Sequence, residues 1–221
     1  MEQFVLDLGL PPAPPKTVIS RCNEAAYGLL AQWPRWVAPV VLVTGPQGSG
    51  KSHLADAFAQ MAEGVLVDGA KLRPEDAVPL AQTPIALDDA HFACDRALFH
   101  LINAVRSAGQ TLLMTGAVRR VGGLADLASR LRAVPEIALD APDDALLRQV
   151  MAEAFASRQL PADAAVVAFL LSRTERTLHD ALHWVDTMDR QGLAQQRAPT
   201  RPFASRLVRD AEGSPRGDTV S

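Results

Sequence analysis

Eight consecutive residues, Gly45, Pro46, Gln47, Gly48, Ser49, Gly50, Lys51 and Ser52, satisfy G-x-x-x-x-G-K-[ST] at every fixed position. Nothing else in the chain limits its fold so strongly. The motif follows Val40-Val41-Leu42-Val43-Thr44, a short β-branched apolar run that reads as a buried strand. It precedes His53-Leu54-Ala55-Asp56-Ala57-Phe58-Ala59-Gln60-Met61, which reads as a helix. In that setting the glycines let the backbone curl, so that successive N–H groups face one centre and hold an anion. Lys51 can reach the β- and γ-phosphates of a nucleotide, and the Ser52 hydroxyl can ligand Mg²⁺. The plainer reading is a Gly-rich turn without a ligand. A full match between a strand and a helix argues against it.

The pattern around the motif extends the expectation. Val65–Asp68, Ile85–Asp88, Thr111–Thr115 and Glu136–Leu139 read as further strands. Helical stretches lie between them: a short one starting at Arg73-Pro74-Glu75, then Asp95–Ala108 and Leu124–Leu131. Alternating strands and helices predict an α/β fold, a parallel sheet covered on both faces. After Pro142 the strands stop. Residues 143–158, 163–172 and 176–191 carry helical periodicity, with Asp143 and Asp163 as expected N-caps, and Phe203–Val208 adds one more helix. The expected organisation is therefore a tail and proline spacer over 1–15 and an α/β domain over 16–141. A small all-helical lid over 142–209 and a disordered tail over 210–221 complete it.

Composition narrows the class. The chain has 221 residues, 48% of them hydrophobic, enough for one α/β core and an appendage. Net charge is −3 and the isoelectric point about 5.9. A protein gripping DNA phosphates directly would be expected to be basic. No apolar run is long enough to span a bilayer, and the N-terminus lacks a signal-peptide layout, so a cytoplasmic protein is expected. Cys22 and Cys94 lack metal-site spacing and read as reduced thiols.

Further residues could carry chemistry. Asp88-Asp89 ends a buried strand: Asp88 could hold Mg²⁺, and Asp89 could orient an attacking water. Thr115 ends the next strand and could bond the γ-phosphate or that water. Arg130 closes a helix. It could complete a neighbour's site in trans, or simply be solvated and favoured by the helix dipole. Arg176, at the expected start of the last long helix, could reach the nucleotide, with Arg173 as competitor. His179 and His183 lie one helical turn apart without a third ligand, and Trp33 and Trp36 read as packing residues.

Taken together, these landmarks resemble the AAA+ ATPases and, more narrowly, the DnaA/Hda family of replication initiators and regulators. Gly50-Lys51-Ser52-His53-Leu54 is similar to that family's phosphate loop, including His53. Leu87-Asp88-Asp89-Ala90-His91-Phe92 resembles its Mg²⁺ strand, and Leu113-Met114-Thr115-Gly116 its sensor 1. Leu127-Ala128-Ser129-Arg130-Leu131 resembles the arginine-finger helix, and Arg176-Thr177-Leu178 sensor 2. The resemblance runs over about residues 16 to 209. Ala117-Val118-Arg119-Arg120 departs from the family pattern after sensor 1.

The resemblance has functional implications. The chain as written leaves no room for a helix-turn-helix DNA-binding domain, which points to the shorter, regulatory members. Gln3-Phe4-Val5-Leu6-Asp7-Leu8 is similar to the peptide by which such regulators dock on the sliding clamp, the β subunit of DNA polymerase III. Gln3 would supply amide hydrogen bonds there while Leu6 and Leu8 fill apolar pockets. The implied activity is negative regulation of replication initiation. The clamp on DNA would recruit the chain, and Arg130 would stimulate ATP hydrolysis by DnaA in trans, leaving inactive DnaA-ADP. DNA would be met only through the clamp, and a homodimer is compatible with the family. The implied cofactors are ADP or ATP with Mg²⁺, the nucleotide shaping the contact face rather than serving as fuel. The alternative is an autonomous AAA+ ATPase that loads or remodels replication proteins. The intact Lys51, Ser52, Asp88 and Asp89 keep it open.

Overall fold

The computed structural model describes residues 18–116, 124–173 and 175–213. They divide into two compact units, 19–142 and 143 onward.

The first unit is built on five strands among the described residues: β1 (Val40–Thr44), β2 (Val65–Asp68), β3 (Ile85–Asp88), β4 (Leu112–Gly116) and β5 (Glu136–Ala138). They form one sheet in the order β2-β3-β4-β1-β5. Every pairing is parallel. Helices α1 (Glu24–Ala31), α2 (Lys51–Met61), α3 (Ala77–Leu80), α4 (Asp95–Ala108) and α5 (Ala125–Arg132) accompany them.

Side chains alternate across a strand, and here each set finds a separate core. Val40, Leu42, Ile85, Leu87, Leu112 and Met114 pack in one cluster with Leu98, Leu101, Ile102 and Val105 of α4 and Leu127 of α5. Val43, Ala86 and Leu113 point into the other, with Ala26 and Leu30 of α1 and Leu54, Ala55 and Phe58 of α2. The buried residues of α2 and α4 recur at i, i+1, i+4 and i+5, one stripe of a helix. Trp36 stacks on Phe58 with ring centroids 5.0 Å apart, and Trp33 meets the same ring edge-on at 6.2 Å. Both tryptophans are thus packing residues, as the sequence predicts.

The second unit comprises α6 (Asp144–Ser157), α7 (Ala164–Leu171), α8 (Leu178–Gln195) and α9 (Arg201–Gly213). Its core joins Leu147, Met151 and Phe155 of α6 to Val166 and Leu170 of α7, Val185 and Met188 of α8, and Phe203 and Leu207 of α9. The carboxylates of Asp143 and Asp163 cap α6 and α7, accepting from Leu146 N–H at 2.7 Å and Val166 N–H at 2.8 Å. Arg158, at the end of α6, ties to α8 through Asp186 and, at 3.7 Å, Asp189.

Several boundaries differ from the sequence expectation. Helix α2 begins at Lys51 rather than His53, because Gly50 supplies the left-handed entry (φ 97°) and the motif's last residues form the first turn. Helix α8 begins after Arg176: Thr177 is extended, and its hydroxyl caps Asp180 N–H at 3.1 Å. Helix α9 starts earlier than Phe203 and runs to Gly213, into the stretch read as disordered; Phe203, Leu207 and Val208 anchor it on the helical core.

Candidate functional site

The strand order brings the carboxyl-terminal ends of β3, β4 and β1 side by side, with β4 in the middle. In open α/β sheets that edge is where ligands bind. The loop of Gly45–Ser52 leaves the end of β1, Asp88 ends β3, and Thr115 lies near the end of β4. Thr115 pairs with Val43 in the sheet register, so it lies between the loop and the acidic pair.

The loop has an anion cradle's geometry. Gly45, Gly48 and Gly50 all have positive φ. A side chain at Gly45 would also strike the Leu139 carbonyl, 2.6 Å from an ideal Cβ. Lys51 Nζ donates to the carbonyls of Gly45 at 3.0 Å and Pro46 at 2.8 Å. The ammonium therefore sits across the loop it belongs to, where it would face a bound anion. The Ser49 hydroxyl is buried and has no hydrogen-bond partner among the described residues. Pro46, Gln47, Ser52 and His53 are exposed, and Ser52 and His53 stand on the first turn of α2. The root of the loop is pinned: the buried Thr44 hydroxyl donates to Glu136 Oε1 on β5 at 2.9 Å. These residues fit a nucleotide's phosphates. The loop offers backbone N–H groups and one ammonium around a concave turn, with a hydroxyl at the helix start.

Beside the loop, Thr115 is fully buried and occupies both ends of its hydroxyl. It donates to the Asp88 carboxylate and accepts from the Asp89 N–H at 3.0 Å. Asp89 itself holds a left-handed conformation (φ 51°, ψ 46°), uncommon for a residue with a side chain. The turn after β2 permits this, because Gly69 passes so close that a Cβ there would strike the Asp89 carbonyl. The result splits the acidic pair: Asp88 is held by Thr115, while the half-buried Asp89 carboxylate lies 3.8 Å from His91 Nδ1. Asp88 can therefore serve as a fixed metal-facing carboxylate and Asp89 as a separately oriented one.

Arg130 lies on the last turn of α5. Its guanidinium sits 5.2 Å from the centroid of the Phe99 ring of α4. Among the described residues it makes no ion pair and no hydrogen bond. Arg176 belongs to the helical unit, is mostly exposed, and lies 3.5 Å from Asp144. Arg173 lies 5.9 Å from the Phe169 ring centroid. Gln3, Leu6 and Leu8, for which the sequence suggests docking on a clamp, and the divergent segment Ala117–Arg120 fall outside the described residues.

Sequence reasoning missed three neighbours: Glu136 under Thr44, His91 beside Asp89, and Phe99 beside Arg130. Only Phe99 left a trace, an aromatic one position off the apolar stripe of α4.

Comparison with known proteins agrees with this geometry. The isolated domain III of the Thermotoga maritima replication initiation protein DnaA superposes with a TM-score of 0.72 at 17% identity, over 88% of this chain and 94% of that one. AMPPCP-bound DnaA from Aquifex aeolicus gives 0.69 at 15% identity, over 89% of this chain and 68% of that one. The Holliday junction branch migration motor RuvB of Thermotoga maritima gives 0.64 at 18% identity, over 85% of this chain and 67% of that one. A curated but uncharacterised protein of Haemophilus influenzae is 27% identical over 188 residues, spanning 77% of this chain and 81% of that protein. The parallel sheet in this order, followed by a helical lid, is the AAA+ fold. Residues 143–208 match the family described as "Hda, lid domain". The chain thus has the AAA+ fold seen in DnaA, and its residues 143–208 are similar to the Hda lid.

Proposed function

We propose that this chain is a negative regulator of replication initiation that acts on DnaA in trans. One observation carries the reading: Arg130 presents a guanidinium with its hydrogen-bonding donors unspent, on a AAA+ protein with an Hda-family lid. An arginine delivered to a neighbour's γ-phosphate stabilises transition-state charge, worth about 10³–10⁵-fold in rate where such fingers operate. Gln3, Leu6 and Leu8 dock on the sliding clamp, so that DNA is met through the clamp and not by the chain itself. The setting is cytoplasmic. Among the described residues, no helix is long and apolar enough to cross a membrane.

The chain's own nucleotide is ADP or ATP. Gly45 to Ser52, together with His53, hold its phosphates, Lys51 supplies positive charge, and Ser52 and Asp88 hold Mg²⁺. Bound nucleotide and Mg²⁺ supply a fixed block of charge at the sheet edge. Arg176 is the sensor 2 residue of this reading; within the lid it lies 3.5 Å from Asp144. Asp89 and Thr115 stay able to orient a water.

A second reading is favoured by the Thr115–Asp88–Asp89 network, which is complete. It makes the chain an autonomous ATPase acting as a loader or remodeller. The deciding experiment follows labelled ATP held only by DnaA, with and without DNA-loaded clamp and this chain. The regulator reading expects hydrolysis of that ATP to accelerate only with all components present, and slow turnover by the purified chain alone. Arg130→Ala should keep clamp binding and lose stimulation. Gln3→Ala should lose clamp binding and keep nucleotide binding. Fast unassisted turnover, with no effect on DnaA, would establish the second reading instead.

A further inference from the structure

An arginine with a free guanidinium is not by itself well placed. Its side chain has many rotamers, and fixing one on engagement costs entropy. The usual way to fix an arginine, a carboxylate partner, would spend its donors and neutralise the charge a phosphate needs. Arg130 is held differently. Its guanidinium lies 5.2 Å from the centroid of Phe99, and no described carboxylate touches it. A ring attracts the cation through its quadrupole and leaves the N–H donors free. The platform is itself fixed: Phe99 and Leu131 are half-buried against the same core, and Leu127 is buried in it. Residues of both α4 and α5 are thereby anchored in one cluster. Arg132, two residues on, is exposed and has no ring contact among the described residues.

We propose that Phe99 is a positioning residue: its ring holds the Arg130 guanidinium ordered and unneutralised for delivery to a phosphate in another subunit. The inference rests on the in-trans reading of Arg130. It adds a requirement that reading lacks, that position 99 be aromatic and not merely apolar. Leucine at this position would fill the core edge but offer no quadrupole. Tyrosine would keep the ring.

The test compares full-length wild type, Phe99→Leu, Phe99→Tyr and Arg130→Ala. Each is assayed with ATP-loaded DnaA and DNA-loaded clamp for maximal stimulated rate and half-saturating concentration. Thermal midpoint and nucleotide affinity serve as folding controls. Phe99→Leu should lower the maximal rate about 3- to 30-fold, the range of cation–π attraction, at unchanged half-saturation. Phe99→Tyr should stay within about 2-fold of wild type. In the free protein, the Arg130 side-chain protons should show an upfield ring-current shift that Phe99→Leu abolishes and Phe99→Tyr retains. Loss of stimulation in Arg130→Ala together with a normal rate in Phe99→Leu would overturn the positioning role alone. So would a Phe99→Leu defect confined to half-saturation, equal losses in both Phe99 variants, or absence of the ring-current shift in the wild type. Normal stimulation by Arg130→Ala would overturn the finger reading, and this inference with it.

Discussion

The two units are stabilised by different means. In the α/β unit, polar groups are buried beside the apolar ones: Thr44, Ser49 and Thr115 are nearly or wholly inaccessible, and all lie at the carboxyl edge of the sheet. That edge also carries the left-handed Asp89 and the positive-φ glycines Gly45, Gly48 and Gly50. The core of the helical unit is a closed apolar cluster of Leu, Val, Met, Phe, Ala and Trp. Its polar contacts include the N-caps Asp143, Asp163 and Thr177, the tie of Arg158 to Asp186 on α8, and side-chain pairs such as Gln149–Glu153 and Arg206–Gln195. Among the described residues, the buried hydroxyls Thr44, Ser49 and Thr115 gather at that edge, whereas positive φ at non-glycine residues also occurs just past helix ends, at Glu63, Gln159 and Gln196; the apolar cluster of the helical unit contains no hydroxyl. The sheet edge trades packing simplicity for oriented polar groups.

The contrast can be broken most directly at the helical core. Phe155→Ala, at a side chain only 1% exposed, should destabilise the helical unit by about 3–5 kcal/mol. Trp184 fluorescence in a Trp33→Phe/Trp36→Phe background reads that unit alone. A loss under about 1 kcal/mol would mean that core is not the closed cluster described. A smaller and different effect is expected at the sheet edge. Thr115→Val keeps shape but strips the hydroxyl, leaving the Asp88 carboxylate and Asp89 N–H without it. A cost of about 1–3 kcal/mol should appear in denaturant unfolding followed by Trp33 and Trp36, together with weaker Mg²⁺-dependent nucleotide binding. Unchanged stability and binding would show that the Thr115 hydroxyl is not holding the acidic pair.

Smaller still, Asp143→Ala should cost about 1 kcal/mol by uncapping α6, while Asp143→Asn should cost much less. Equal losses in the two variants would assign the effect to charge rather than to the cap. The last expected effect is a pH dependence confined to the α/β unit. Tyr27 is the chain's one tyrosine, and burial raises its phenol to about 12. The unfolded chain ionises near 10, so this contribution to stability is complete below pH 10 and falls away between about 10 and 12. Tyrosinate absorbance in the folded protein should titrate near 12, and Tyr27→Phe should remove the alkaline slope. A midpoint near 10 in the folded protein would contradict the burial.

Much of the architecture was legible because it depends on local pattern. Apolar β-branched runs in Val40–Thr44 and Ile85–Asp88, helical stripes in Asp95–Ala108, and side-chain caps at Asp143 and Asp163 are written in neighbours along the chain. The strand–loop–helix turn of Gly45–Ser52 was legible for the same reason. Helix ends were less so, because a cap such as Thr177 competes with the helix propensity of the residues before it, and α9 is extended by packing that no local signal announces.

Sequence by itself determined the class of fold and the residue types that could meet a phosphate, since backbone curl, strand alternation and capping are short-range effects. Tertiary structure alone decided which of those residues are joined. It placed the Thr115 hydroxyl between two aspartates 26 and 27 residues away, turned Asp89 from Asp88 over Gly69, and set Arg130 on the ring of Phe99, a residue of another helix. Such pairings arise when the sheet is ordered and its helices are laid down. Until then no local preference distinguishes a solvated arginine from one held against an aromatic ring.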